Sequence, residues 1–162
     1  MAGQDPAALL EPRTHGDGTT NQWQEVAMVW TRVPVPVIAA LHGPVYGAGC
    51  QLALGADIRI AGPDVKMAVM EMKWGILPDM GGMVLLPKLV RDAVLRRLAE
   101  QITLKSPSAI RAAKRLIGVA QSSASLQDVL LAESREQAAL IGKPHQMEVI
   151  AAQFGKRTPK FG

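Results

Sequence analysis

The sequence predicts an α/β fold, a small core of strand-turn-helix units followed by a tail of helices. Three observations predict it. A proline-bounded apolar run ends in a glycine-rich turn. Two further short strand candidates follow it, and the C-terminal half carries helical spacing with hydroxyl-capped starts. At 162 residues, 48% hydrophobic and 20% charged, the chain is long enough to bury a real core and too apolar for disorder.

The first twenty residues mix Pro, Gly, Asp and Thr and read as loop. Across residues 20–32, Trp23, Val26, Ala27 and Trp30 fall at i, i+3, i+4 and i+7, which predicts an amphipathic helix. Pro34 and Pro36 stop it and force an extended entry, so residues 37–41 read as a buried strand. Gly43, Gly47 and Gly49 make the turn, and residues 50–55 a short helix. Ile58–Ala61 and residues 66–69 are strand candidates, and residues 75–82, with Pro78 and Asp79, are a turn. Ser106 and Pro107 open a helix that Ile110, Ala113, Leu116 and Ile117 continue. Ser125 and Asp128 form a capping box opening another, to about Ile141.

Composition removes several function classes. Every apolar stretch is broken by Gly, Pro, Arg or Asp well before the ~20 residues of a membrane helix. The start has no basic segment followed by an apolar one, so a cytoplasmic protein is expected. Cys50 is alone, and His15, His42 and His145 are scattered, so neither a disulfide framework nor a metal site is expected. Residues 1–87 carry a net charge of −3 and residues 88–162 one of +7. The basic half suits a phosphorylated ligand, nucleic acid or a solvated helical face. Six aromatic residues leave little for base stacking, which counts against nucleic acid.

The chemistry concentrates in residues 36–87, PVIAALHGPVYGAGCQLALGADIRIAGPDVKMAVMEMKWGILPDMGGMVLLP. A strand ends at His42 and Gly43, the chain turns through Gly47, Ala48 and Gly49, and a helix starts near Cys50. Small residues let the backbone approach a ligand, and the unpaired N–H groups of the helix start point into that gap. Such a site suits a developing oxyanion or a phosphate.

This stretch resembles the enoyl-CoA hydratase/isomerase (crotonase) family, whose pattern reads roughly PVIAAI-x-G-x-x-x-GGG-C-E-L-A, then CDIRIA, PE-x-x-x-G and a P-x-x-GG turn. The C-terminal FGKRTPKF, residues 154–161, is similar to that family's end. The resemblance implies a crotonase-like (ββα-spiral) core over residues 1–92. It also implies a helical region over 93–162 for trimerisation and CoA contact. It further implies unsaturated acyl-CoA substrates, no cofactor beyond the CoA of the substrate, no membrane, and a homotrimer or hexamer.

Carried over position by position, the family's oxyanion-hole glycine falls on Ala48, whose backbone N–H can still donate. The sequence MAGQD resembles the family's A-G-x-D loop, which places the second donor on Gln4 and CoA contacts on Ala2 and Gly3. Gly47, Lys156 and Lys160 are further CoA-binding candidates. The first family glutamate is Gln51 here, and a neutral amide does not exchange protons usefully near pH 7. The second carboxylate falls on Glu71, whose apolar neighbours Met70 and Met72 suit a raised pKa. Asp79 stands eight residues on, an offset similar to that of dienoyl-CoA isomerases. Glu71, Asp79 and Gln51 together tilt the expectation toward isomerisation.

Relative to the family, the chain starts inside the A-G-x-D loop and omits a helical pair after Asp92, so an uncovered sheet edge and an unburied helix face are expected. A second reading is a shortened relative that holds acyl-CoA without turning it over, and a third an RNA-binding relative. His42 is expected to be packed or hydrogen-bonded, Cys50 to be inert packing, and Trp23, Trp30 and Trp74 to be core or subunit contacts.

Overall fold

The computed structural model of the chain describes residues 19–90, 106–122 and 124–161. Helix α1 (Gln22–Met28) starts at a reciprocal cap in which Asn21 and Gln24 each satisfy the other's backbone N–H, and it tightens into a 3-10 turn over Val29–Arg32. Strand β1 (Ile38–Leu41), strand β2 (Pro44–Tyr46), helix α2 (Ala48–Leu54), strand β3 (Ile58–Ala61) and strand β4 (Lys66–Ala68) follow. A 3-10 turn over Glu71–Trp74 leads to the short helix α3 (Gly82–Leu85). Helices α4 (Pro107–Gln121), α5 (Leu126–Ala138) and α6 (Pro144–Phe154) complete the described elements.

Pairing is parallel throughout. β1 lies beside β3, with Ile38 opposite Ile58 and Ala40 opposite Ile60, and β2 lies beside β4, with Tyr46 opposite Ala68. The crossover from β2 to β4 therefore carries α2 and β3, and places the start of α2 next to the end of β4. The expected helix starts hold. Ser106 Oγ accepts from Ala109 N–H at 3.3 Å, and Ser125 and Asp128 form the capping box.

Met28, Leu54, Met72, Leu77, Val84, Ala109, Leu116, Val129, Leu130 and Leu140 belong to one hydrophobic core, which joins the strand-bearing part to α4 and α5. Leu77, Leu116 and Leu130 are fully buried. Fully burying each such side chain contributes about 1.5–3 kcal/mol.

Three expectations are corrected. β1 is not a buried strand: Ile38 is 58% exposed, and Ile58 and Ile60 on the same face of the pair are 48% and 60% exposed. Its only strand partner among the described residues is β3. In α1 the buried side is Asn21, Gln24, Ala27 and Met28, while Trp23, Val26 and Trp30 are exposed. Hydrogen bonds from Asn21 and Gln24 to α5 set that orientation against the apolar stripe. His42 is exposed rather than packed.

Candidate active site

Gly47 sits at φ +55°, ψ −123°, its N–H donating to Ala68 O at 3.0 Å, which ties the start of α2 to the end of β4. The left-handed φ favours glycine, and a Cβ there would lie 3.5 Å from Glu71 Oε1. The Glu71 carboxylate therefore packs directly on the backbone that starts α2. No side chain caps this helix, and among the described residues Ala48 N–H meets no backbone acceptor. Ala48 is an exposed residue, next in the chain to the glycine that packs on the buried Glu71 carboxylate.

Glu71 is 8% exposed. Its Oε1 accepts from Gln51 Nε2 at 2.7 Å, while Oε2 is buried without a hydrogen-bond partner. Burial pushes the carboxyl above its ordinary range, the Asp79 charge pushes it further, and the Gln51 amide opposes both. Cys50 is buried, and its thiol is raised first by burial and then by the Glu71 charge, which keeps it protonated and unreactive.

Gln51 is 1% exposed and fully engaged. Its Oε1 accepts from Met80 N–H at 2.9 Å and from Gly82 N–H at 3.1 Å, while its amide nitrogen holds Glu71. The other side of the 77–83 segment is held from α5. Glu133 Oε2 accepts from Gly81 N–H and Oε1 from Met83 N–H, each at 2.9 Å, and Gln137 Oε1 accepts from Leu77 N–H at 2.9 Å. Asp79 is buried at the tip of this segment, and its charge acts on both Glu71 and Glu133. Glu133 has no exposure, and burial outweighs its N–H donors to push the carboxyl up to about 8.

The structure thus brings Gly47, Ala48, Gln51, Glu71 and Asp79 into one neighbourhood, as the sequence predicts. Sequence reasoning missed Glu133 and Gln137, which look like ordinary polar positions of a helix. They share the buried side of α5 with Val129, Leu130 and Ser134, and no feature of the sequence marks a buried carboxylate there.

The comparisons with known proteins decide the family. Residues 1–95 match the family model described as enoyl-CoA hydratase/isomerase. This chain belongs to the enoyl-CoA hydratase/isomerase family. The alpha subunit of the fatty acid oxidation complex of Vibrio vulnificus is 35% identical over 94 residues, which are 56% of this chain and 13% of that subunit. The chain therefore spans about an eighth of that relative's length. An enoyl-CoA hydratase from Mycobacterium avium superposes with a TM-score of 0.61 at 22% identity, covering 95% of this chain and 70% of that one. An enoyl-CoA hydratase/isomerase from Pseudoalteromonas atlantica gives 0.58 at 22% identity, covering 100% and 77%. At that identity the likeness establishes the fold, and it is crotonase-like.

Other predicted positions of this family member are placed less tellingly. Ala2, Gly3 and Gln4 lie outside the described residues. Lys156 and Lys160 are exposed beyond α6, and Lys160 N–H donates to Glu148 Oε1 at 2.7 Å. Among the described residues there is no cluster of metal-ligating side chains, and no helix is long and apolar enough to cross a membrane.

Proposed function

We propose that the chain performs enoyl-CoA isomerase chemistry, shifting the double bond of an unsaturated acyl-CoA through an enolate. The observation that carries this reading is the buried Glu71 carboxylate, with one oxygen unpartnered, packed against the glycine that presents the Ala48 N–H. The α-proton of a thioester is too weakly acidic to lose unless charge on the carbonyl oxygen is stabilised as it forms. Ala48 N–H would supply one donor to that oxygen, and Gln4 N–H is assigned the second. Glu71 would take the proton from C2 and return it at C4, the double bond moving from C3–C4 to C2–C3 as the enolate collapses. The raised pKa of Glu71 suits this work, because a base poised nearer the operating pH transfers protons both ways.

Gln51 is what separates isomerisation from hydration. Adding water across a double bond is served best by two proton-exchanging groups, and Gln51 is an amide whose oxygen and nitrogen are both committed to holding the site. Asp79 is assigned a secondary role, tuning Glu71 through its charge. The exposed Lys156 and Lys160 would meet CoA phosphates. Parallel spectrophotometric assays with a 3-enoyl-CoA and with crotonyl-CoA test the reading. Turnover of the first well above hydration of the second is expected, and hydration as the faster reaction would overturn it.

A further inference from the structure

The backbone N–H groups of the 77–83 segment have an unusual set of partners. Those of Leu77, Met80, Gly81, Gly82 and Met83 all donate to side-chain oxygens, and none of these acceptors belongs to the segment itself. Gln51 holds the segment from α2, and Glu133 and Gln137 hold it from one face of α5, a single helical turn apart. Both α5 groups are fully buried. Gln24 Nε2 donates to Glu133 Oε2 at 3.1 Å and to Leu130 O at 2.8 Å, so α1 fixes the Glu133 carboxylate from behind. Hydrophobic packing alone would bury this segment without need of a buried carboxylate, which costs several kcal/mol to remove from water.

We infer that Glu133 and Gln137 are positioning residues, which by holding the backbone of residues 77–83 from α5 keep it seated on Gln51, the side chain that holds Glu71. The role rests on the isomerase reading for its catalytic meaning, but the positioning itself is a property of the fold. Burial under this segment is the main cause of the raised Glu71 carboxyl, and the charge of Asp79, a buried residue of the segment, adds to it. The titratable groups facing this pair are Cys50 from α2 and Glu133 from α5. If the segment loosens, Gln51 loses its hold, water reaches Glu71, and its carboxyl titrates closer to an ordinary glutamate.

The test is a carboxyl-carbon NMR titration of Glu71 in the full chain, made for the wild type, Glu133→Gln, Gln137→Leu and Leu130→Ala. Glu133→Gln keeps the shape but cannot accept on both sides. Gln137→Leu removes the acceptor of Leu77 N–H together with an amide nitrogen that is itself buried without a partner. Leu130→Ala loosens the core beside them and leaves all three acceptors in place. The Glu71 midpoint is expected to fall by about half a unit or more in Glu133→Gln and in Gln137→Leu, and to stay within about 0.2 in Leu130→Ala. Should Glu133→Gln fail to fold, Gln137→Leu carries the test alone. An unmoved midpoint in the clamp variants, or an equal shift in Leu130→Ala, would overturn the inference. A wild type that turns over no acyl-CoA while the midpoints move as expected would instead remove the isomerase reading and leave the positioning role standing.

Discussion

In the proposed reaction the Ala48 N–H and the Glu71 carboxylate are the described groups that act on substrate, and each can be removed with little other change. Glu71→Gln keeps the shape and the contact with Gln51 but cannot take a proton. Its turnover is expected to drop roughly 10²–10⁴-fold with ligand affinity retained, as checked by assay and calorimetric titration. Ala48 is the first residue of α2, a position where proline fits a helix, and Gly47 before it has no Cβ to clash. Ala48→Pro therefore deletes one N–H and little else. A fall in kcat of roughly 10²–10³ with an unchanged circular dichroism spectrum is expected if that N–H holds the oxyanion. Gly82 is constrained differently: a Cβ there would lie 2.7 Å from Gln51 Oε1 and 3.2 Å from Gln51 Cγ, on a side chain pinned at both ends. Gly82→Ala should cost about 1–3 kcal/mol in a denaturant titration, as overpacking in a filled core does.

At the scale of elements, sequence and structure agree where the signal is local. The hydroxyl starts, the capping box and the glycine at the start of α2 depend on neighbours in the chain, and strands β1, β3 and β4 are legible in it, whereas β2, which reads as part of the glycine turn, the short helix α3 and the pairing of the strands are not. The buried position of Glu71 was legible from its apolar flanks, and the commitment of Gln51 was not. That commitment depends on a turn some thirty residues away folding back over α2. The orientation of α1 was misread for a related reason. Its apolar stripe points outward because Asn21 and Gln24 find hydrogen-bond partners on α5, more than a hundred residues downstream. Glu133 was invisible to periodicity because a buried carboxylate is specified by the N–H groups it meets, and these lie in another element. The exposed Ile38, Ile58 and Ile60 give this scale its own expectation. Ile60→Thr should change stability by no more than about 0.5 kcal/mol, whereas Leu130→Ala, in the centre of α5, should cost about 2–5 kcal/mol.

For the whole molecule, the buried carboxylates make stability and activity respond to pH in opposite directions. Glu133 is raised from 4.5 to about 8, and Glu71 is raised as well, so both favour the protonated form in the folded state. Their contribution to stability is full below the unfolded value and is lost as pH rises through the folded one. The melting temperature is therefore expected to decline between about pH 5 and pH 8.5, and a rise over that interval would contradict the burial of Glu133 as described. Activity should move the other way, because Glu71 must be ionised to accept a proton, so kcat/KM should climb with pH through the raised Glu71 value. One core joins the strand-bearing part to α4 and α5, which lets groups on α5 reach a site built from β4 and α2.

Solvent exchange reports on enolate formation without depending on where the double bond ends. A saturated acyl-CoA incubated with the protein in deuterium oxide should gain deuterium at C2, and Glu71→Gln should slow that gain at least about 10²-fold. Exchange at the same rate in both proteins, or none above background in the wild type, would mean that the buried carboxylate beside Gly47 does not move the proton.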